Sequence, residues 1–182
     1  MEISSKQILK ILYVLSWIIF IGLCVEAGGF IFNTLFVLTY NPIGVQNFWN
    51  GLDLSGLYQH DSGNFIVVTS LMIIVALLKA IMFYLIVKML HDKKLNMLQP
   101  FNKDVGRFIF NISYLALGIG LFSNWGSNYS KWLIKQGVEM PSMESLHLDG
   151  ADVWLFMAVI LYVIAHIFKR GIEIQTENEL TI

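Results

Sequence analysis

Charge is scarce in this sequence. Of 182 residues only 14% are Asp, Glu, Lys or Arg, while 56% are hydrophobic; a soluble domain usually carries about a quarter charged residues. One small globule cannot bury that excess, so an ordinary soluble domain is excluded. A single cysteine, Cys24, excludes an internal disulfide framework and a cysteine-based zinc cluster. Lying in an apolar run, it reads as a small buried hydrophobe. The formal net charge of -1 gives no general attraction to nucleic acid, so no direct nucleic-acid partner is expected. There is no phosphate-binding P-loop, dinucleotide fingerprint, nucleophile elbow or zinc-protease helix motif. That removes any positive ground for naming an enzyme.

What is abundant is long apolar sequence. A hydrocarbon core about 30 Å thick needs roughly 20 apolar residues at 1.5 Å per residue. Four segments meet or approach this: residues 8–38, 65–90, 105–122 and 153–168. They predict an all-α integral membrane four-helix bundle, one transmembrane domain over 1–182, with a tail at 171–182. Lys6 and Lys10 before an apolar run resemble the start of a signal peptide, and Ile21-Gly22-Leu23-Cys24 resembles a lipoprotein box. Leu23 is too large for that box and the apolar run continues to about Tyr40, which favours a retained helix. Gly28-Gly29 is the expected place for a bend.

Basic residues orient the helices. Lys6, Lys10, Lys88, Lys93, Lys94, Lys103, Arg107, Lys169 and Arg170 all fall on one side. The opposite loops are 41–64, with no lysine or arginine, and 124–152, with only Lys131 and Lys135. Both termini are therefore expected in the cytoplasm, with two long loops outside. The outer loops carry Trp49, Tyr58, Trp125, Tyr129 and Trp132, aromatics suited to the headgroup zone. A short interfacial helix over 129–136 and a packed outer cap follow from loops of that length.

Glu26 and Lys79 are the candidate intramembrane site, because an ionisable group within a bilayer is costly enough to suggest function. From the outer helix ends they lie roughly 18 and 21 Å deep at 1.5 Å per residue, which allows a direct ion pair. That pair either fixes helix register or lines a polar pocket. Gly22, Glu26, Gly29 and Asn33 share one face of the first helix, and Ala76 and Lys79 are placed to face it. Asn111, Tyr114 and Gly118 form a stripe on the third helix, and Ala158, Tyr162, Ala165 and His166 one on the fourth. Small and polar stripes also serve simple helix packing.

His91 and His166 share a depth at which two imidazoles would hold a haem. Each is a lone histidine at a membrane boundary, so an interfacial role is preferred and no cofactor is expected. His60-Asp61 and His147-x-Asp149 are the weak metal candidates. Their spacing matches no zinc motif, and solvated loop residues are the simpler reading.

The segment Gln99-Pro100-Phe101-Asn102-Lys103-Asp104-Val105 and the ending from Ile167 through Lys169-Arg170-Gly171-Ile172-Glu173-Ile174-Gln175-Thr176-Glu177-Asn178-Glu179-Leu180 to Ile182 resemble a bacterial membrane family, domain of unknown function 2975. The resemblance implies a four-helix inner-membrane protein without established activity or assigned catalytic residues. It also implies a gene often adjoining that of a small Cro/CI-type helix-turn-helix regulator. The expected function is a non-enzymatic sensor or interaction protein that meets its partner through Lys93, Lys94, Lys103, Arg107, Glu173, Glu177 and Glu179. The alternatives are a small oligomeric transporter or proton-coupled carrier using Glu26 and Lys79, and a membrane redox or metal-dependent enzyme.

Overall fold

The computed structural model describes residues 5–92 and 102–179. Four long helices dominate: α1 (Ser5–Thr39), α3 (Ser62–His91), α4 (Lys103–Lys135) and α5 (Ala151–Glu179). Between α1 and α3 lie a 3-10 turn, Pro42–Asn47, and a short helix, α2 (Ser55–His60). Asp61 caps α3 by accepting the Gly63 amide, and Asn102 caps α4 by accepting the Val105 amide.

All four long helices are long and apolar enough to cross a membrane. Large hydrophobic side chains stand exposed along α1 (Ile11, Ile18, Val25) and α5 (Val159, Val163, Ile167). Such continuous apolar surface is expensive in water and natural in lipid. Cys24 is part of that exposed surface and not the buried hydrophobe expected.

The helices pack in chain order, α1 on α3, α3 on α4 and α4 on α5. The register is readable from side-chain pairs. On α1 and α3, the Tyr13 hydroxyl lies 3.0 Å from His91 Nδ1 and the Phe20 and Tyr84 rings are 6.0 Å apart. Continuing that antiparallel match brings Glu26 level with residue 78, next to Lys79. On α3 and α4, Leu78 faces Gly118, and the Tyr129 hydroxyl donates to Asn64 at 2.6 Å. On α4 and α5, the Ser113 hydroxyl donates to the Ala158 carbonyl at 3.1 Å, and Ile172 packs on Gly106.

At 29 to 35 residues each, these helices run about 44 to 52 Å at 1.5 Å per residue, well beyond a hydrocarbon core. The extra length goes to both ends. Beyond Phe122, where the apolar run stops, α4 continues for thirteen residues to Lys135, and the separate interfacial helix expected over 129–136 is the last part of this one helix. At the opposite end α5 carries the 171–179 segment as unbroken helix. Around the projecting parts of α1, α3 and α4 the two long loops form a cap whose core holds Phe48, Leu54, Leu57, Phe65, Leu146 and Leu148.

α1 passes through Gly28-Gly29 without interruption. Gly29 serves close approach instead: a Cβ built there would lie 2.0 Å from a Trp49 ring carbon, while one on Gly28 would meet nothing.

Candidate functional site

The first loop folds on an Asn-Gly turn. Asn50 and Gly51 both have positive φ, 47° and 82°, which lets two residues close a tight reversal between Trp49 and Leu52. Trp49 is thereby set over Gly29 with its ring edge-on to Phe30, 5.9 Å between centroids.

The second loop descends to the same place. Leu146 and Leu148 are fully buried, Leu148 lying against Gly126 of α4, so they anchor the residue between them. His147 has φ 55°, a left-handed conformation uncommon for a side-chain-bearing residue and costing of order 1–3 kcal/mol where it is strained. The turn directs the imidazole to α1. Its Nδ1 lies 3.2 Å from Glu26 Oε1, and its ring meets Phe30 edge-on at 5.5 Å. The Glu26 side chain is 19% exposed and that of His147 37%, so the carboxylate is mostly covered while the imidazole reaches solvent.

The direct Glu26–Lys79 pair expected from sequence is therefore replaced. The short contact of Glu26 goes to His147, and Lys79 attracts the same carboxylate only at longer range. The matching of depth was legible; the partner was not, because it arrives from a loop remote in sequence.

Beside His147 the two loops line an open cavity of about 630 Å³. Its walls include Trp49, Asp53, Glu139, Met140 and Ser145, with His147 at the side nearest α1. Asp53 accepts the Ser55 hydroxyl and, at 2.7 Å, the Ser55 amide. These two hydrogen bonds hold its carboxyl below the usual carboxylate range, so it is ionised at neutral pH.

The other expected intramembrane residues do not converge here. Asn33 donates to the Gly29 carbonyl of its own helix at 2.9 Å. Tyr114 and Tyr162 are exposed on the α4–α5 side, where Tyr114 stacks on Phe110 and Tyr162 meets it edge-on. Asn111 lines a smaller cleft of about 160 Å³ at the end bearing the termini, with Lys88, Asp92, Asp104 and Arg107. Of the expected partner-facing residues, Lys103 and Arg107 open α4, Glu173 accepts from Arg170 at 3.1 Å, and Glu177 and Glu179 close α5. Lys93 and Lys94 lie outside the described residues.

The metal candidates are not assembled. Asp61 caps α3, His60 ends α2 and His147 is turned to Glu26. Among the described residues no group of three or more His, Cys, Asp and Glu could hold a metal ion. The two haem candidates sit apart, His91 stacked on Tyr13 and His166 between Phe110 and Tyr162.

Sequence reasoning missed Trp49, Asp53 and Glu139 as neighbours of one cavity and His147 as the partner of Glu26. A faint signal existed in Leu146-His147-Leu148, a polar residue between two leucines in an otherwise polar loop.

Four long apolar helices, a loop-built cap and the Glu26–His147 contact beneath it define an all-α membrane protein with a cavity at one end. More particularly, the chain belongs to the family of proteins of unknown function DUF2975, whose model matches residues 48–182. His147 and Lys79 lie within the matched span and Glu26 before it. No curated protein and no solved structure matches the chain.

Proposed function

We propose that this protein is a non-enzymatic sensor of the bacterial inner membrane, with the capped end outside and both termini in the cytoplasm. The cavity is its input. The observation that carries this reading is the double position of His147, at once a wall of the cavity and the close partner of Glu26 on α1. A ligand touching His147 changes the contact that ties the cap to α1. α1 meets α3 along its length down to Tyr13 and His91, so the disturbance reaches the cytoplasmic end through two packed helices. Basic residues confined to one side support the orientation.

The cytoplasmic output is a partner bound through Lys93, Lys94, Lys103, Arg107 and the end of α5 around Glu173, Glu177 and Glu179. The family resemblance supports a Cro/CI-type helix-turn-helix regulator in that role. A small oligomeric carrier is the second reading, favoured by the common level of Glu26 and Lys79. It requires a continuous path past both.

Spin labels on Lys10→Cys and Lys88→Cys, in a Cys24→Ala background in lipid nanodiscs, report the spacing of α1 and α3 at the cytoplasmic end. His147→Phe, which breaks the Glu26 contact, is expected to shift that spacing by about 1–2 Å or to add a second population. An unchanged distribution overturns the sensor reading.

A further inference from the structure

We propose that the cavity between the two cap loops is a binding site for a small organic cation, an amine or quaternary ammonium compound. The inference rests on the reading of this cavity as the sensor's input and names its ligand class.

The volume, about 630 Å³, falls in the range of small-molecule sites, roughly 300–1,000 Å³. It is far more than a bare metal ion fills, and the described residues offer no metal-holding group of three. Charge then narrows the class. The lining contains two carboxylates, Asp53 and Glu139, and no lysine or arginine. His147, the other titratable group of the lining, is already engaged by Glu26, so an anionic ligand would meet two carboxylates, whereas an ammonium group finds partners of opposite sign. Asp53, like any exposed aspartate, is a carboxylate at neutral pH, and the two hydrogen bonds from Ser55 fix its position.

The uncharged lining suits the same class. Trp49 is among the lining residues, and an indole is a side chain to which organic cations are drawn. Met140 and Pro141 give apolar contact for the carbon skeleton, and the Ser142 and Ser145 hydroxyls, 2.8 Å from each other, offer acceptors for N–H groups. The smaller cleft differs in charge, since its carboxylates Asp92 and Asp104 are balanced by Lys88 and Arg107.

The walls are also held in place before any ligand arrives. Glu139 packs its backbone carbonyl against Gly56, where an added Cβ would come within 2.8 Å of that oxygen. This seats the second loop on α2 of the first. Trp49 is fixed by Gly29, and His147 by the buried leucines on either side. A preformed cavity loses less ordering entropy on binding than one built from slack loops.

Isothermal titration of the full chain in nanodiscs with putrescine and with choline tests the assignment, with succinate as an anion of similar size. Saturable binding of at least one cation, weakened tenfold or more by Glu139→Gln and further by Glu139→Lys, is the expected result; succinate should not bind. Glu139 is exposed, so both variants should fold. Failure of both cations to bind, or binding unchanged in both variants, overturns the proposal. The spin-label measurement separates this from the sensor reading. Binding without a change in α1–α3 spacing would leave the site and remove the sensor, whereas a spacing that responds to His147→Phe in a chain that binds no cation would do the reverse.

Discussion

His147 Nδ1 lies 3.2 Å from Glu26 Oε1, joining a loop near the end of the chain to the middle of its first helix. A carboxylate on a membrane helix needs a partner, because an uncompensated charge there costs at least about 2.5–3.5 kcal/mol. Lys79 at the same level is the obvious candidate from sequence, yet the nearer group is an imidazole brought down by the cap. The consequence for function is direct. A lysine partner would bury the interaction between two helices, while a histidine partner leaves one side of it open to the cavity.

Gly28 and Gly29 give a matched test of the cap's seat on α1. Gly29→Ala would place a methyl group in the Trp49 ring and should lower stability by about 1–3 kcal/mol through overpacking. Gly28→Ala meets nothing and should be neutral or stabilising by up to about 1 kcal/mol through helix propensity. Thermal unfolding in detergent, followed by tryptophan fluorescence, measures both. Equal effects at the two positions would contradict the Trp49 placement.

Asp53 predicts a pH dependence. Its pKa is depressed in the folded chain by the Ser55 hydroxyl and amide. Its stabilising contribution is therefore complete above the unfolded value of about 3.9 and is lost as pH falls through the lower folded value. Asp53→Asn should cause a small loss of stability at pH 7, small because the group is exposed. That difference should vanish on acidification below the folded value. A deficit that persists unchanged in acid would show that the carboxylate charge is not what Ser55 recognises.

Orientation has its own check. In intact cells, with Cys24→Ala removing the native thiol, a membrane-impermeant maleimide should modify Ser62→Cys and Ser142→Cys, both exposed in the cap. It should spare Asn96→Cys in the basic connection. Labelling at Asn96 from outside would reverse the topology and with it the proposed input side.

The four spans were legible because hydropathy over about 20 residues is a strong, local signal, and Glu26 and Lys79 could be matched in depth by counting residues from helix ends. The true lengths were not. Past Phe122 the sequence turns polar with Asn124 and Asn128, yet α4 persists because Ser130 and Leu133 are buried and Tyr129 reaches Asn64 on α3. Tertiary packing decides there, and residue type alone does not reveal it. Past Phe168 the charged pair Lys169-Arg170 signals the membrane boundary but not the end of the helix, which runs on with Ile172 on Gly106. The site was the least legible part. Its cavity needs two local turns, at Asn50-Gly51 and at the left-handed His147, to be brought together by the seating of Glu139 on Gly56, a contact between segments some 80 residues apart.

The link between His147 and Glu26 is measured most directly by double-mutant cycles on thermal stability in nanodiscs. Glu26→Gln, His147→Gln and Lys79→Met are made singly, and the first is combined with each of the others. Glu26 and His147 should be non-additive by about 0.5–3 kcal/mol, as expected for residues in contact. The Glu26–Lys79 coupling should be smaller, since Lys79 acts only at longer range. Additive losses for Glu26 and His147, with the larger coupling falling instead between Glu26 and Lys79, would contradict the account: the pair would then be sealed between helices and out of reach of the cavity.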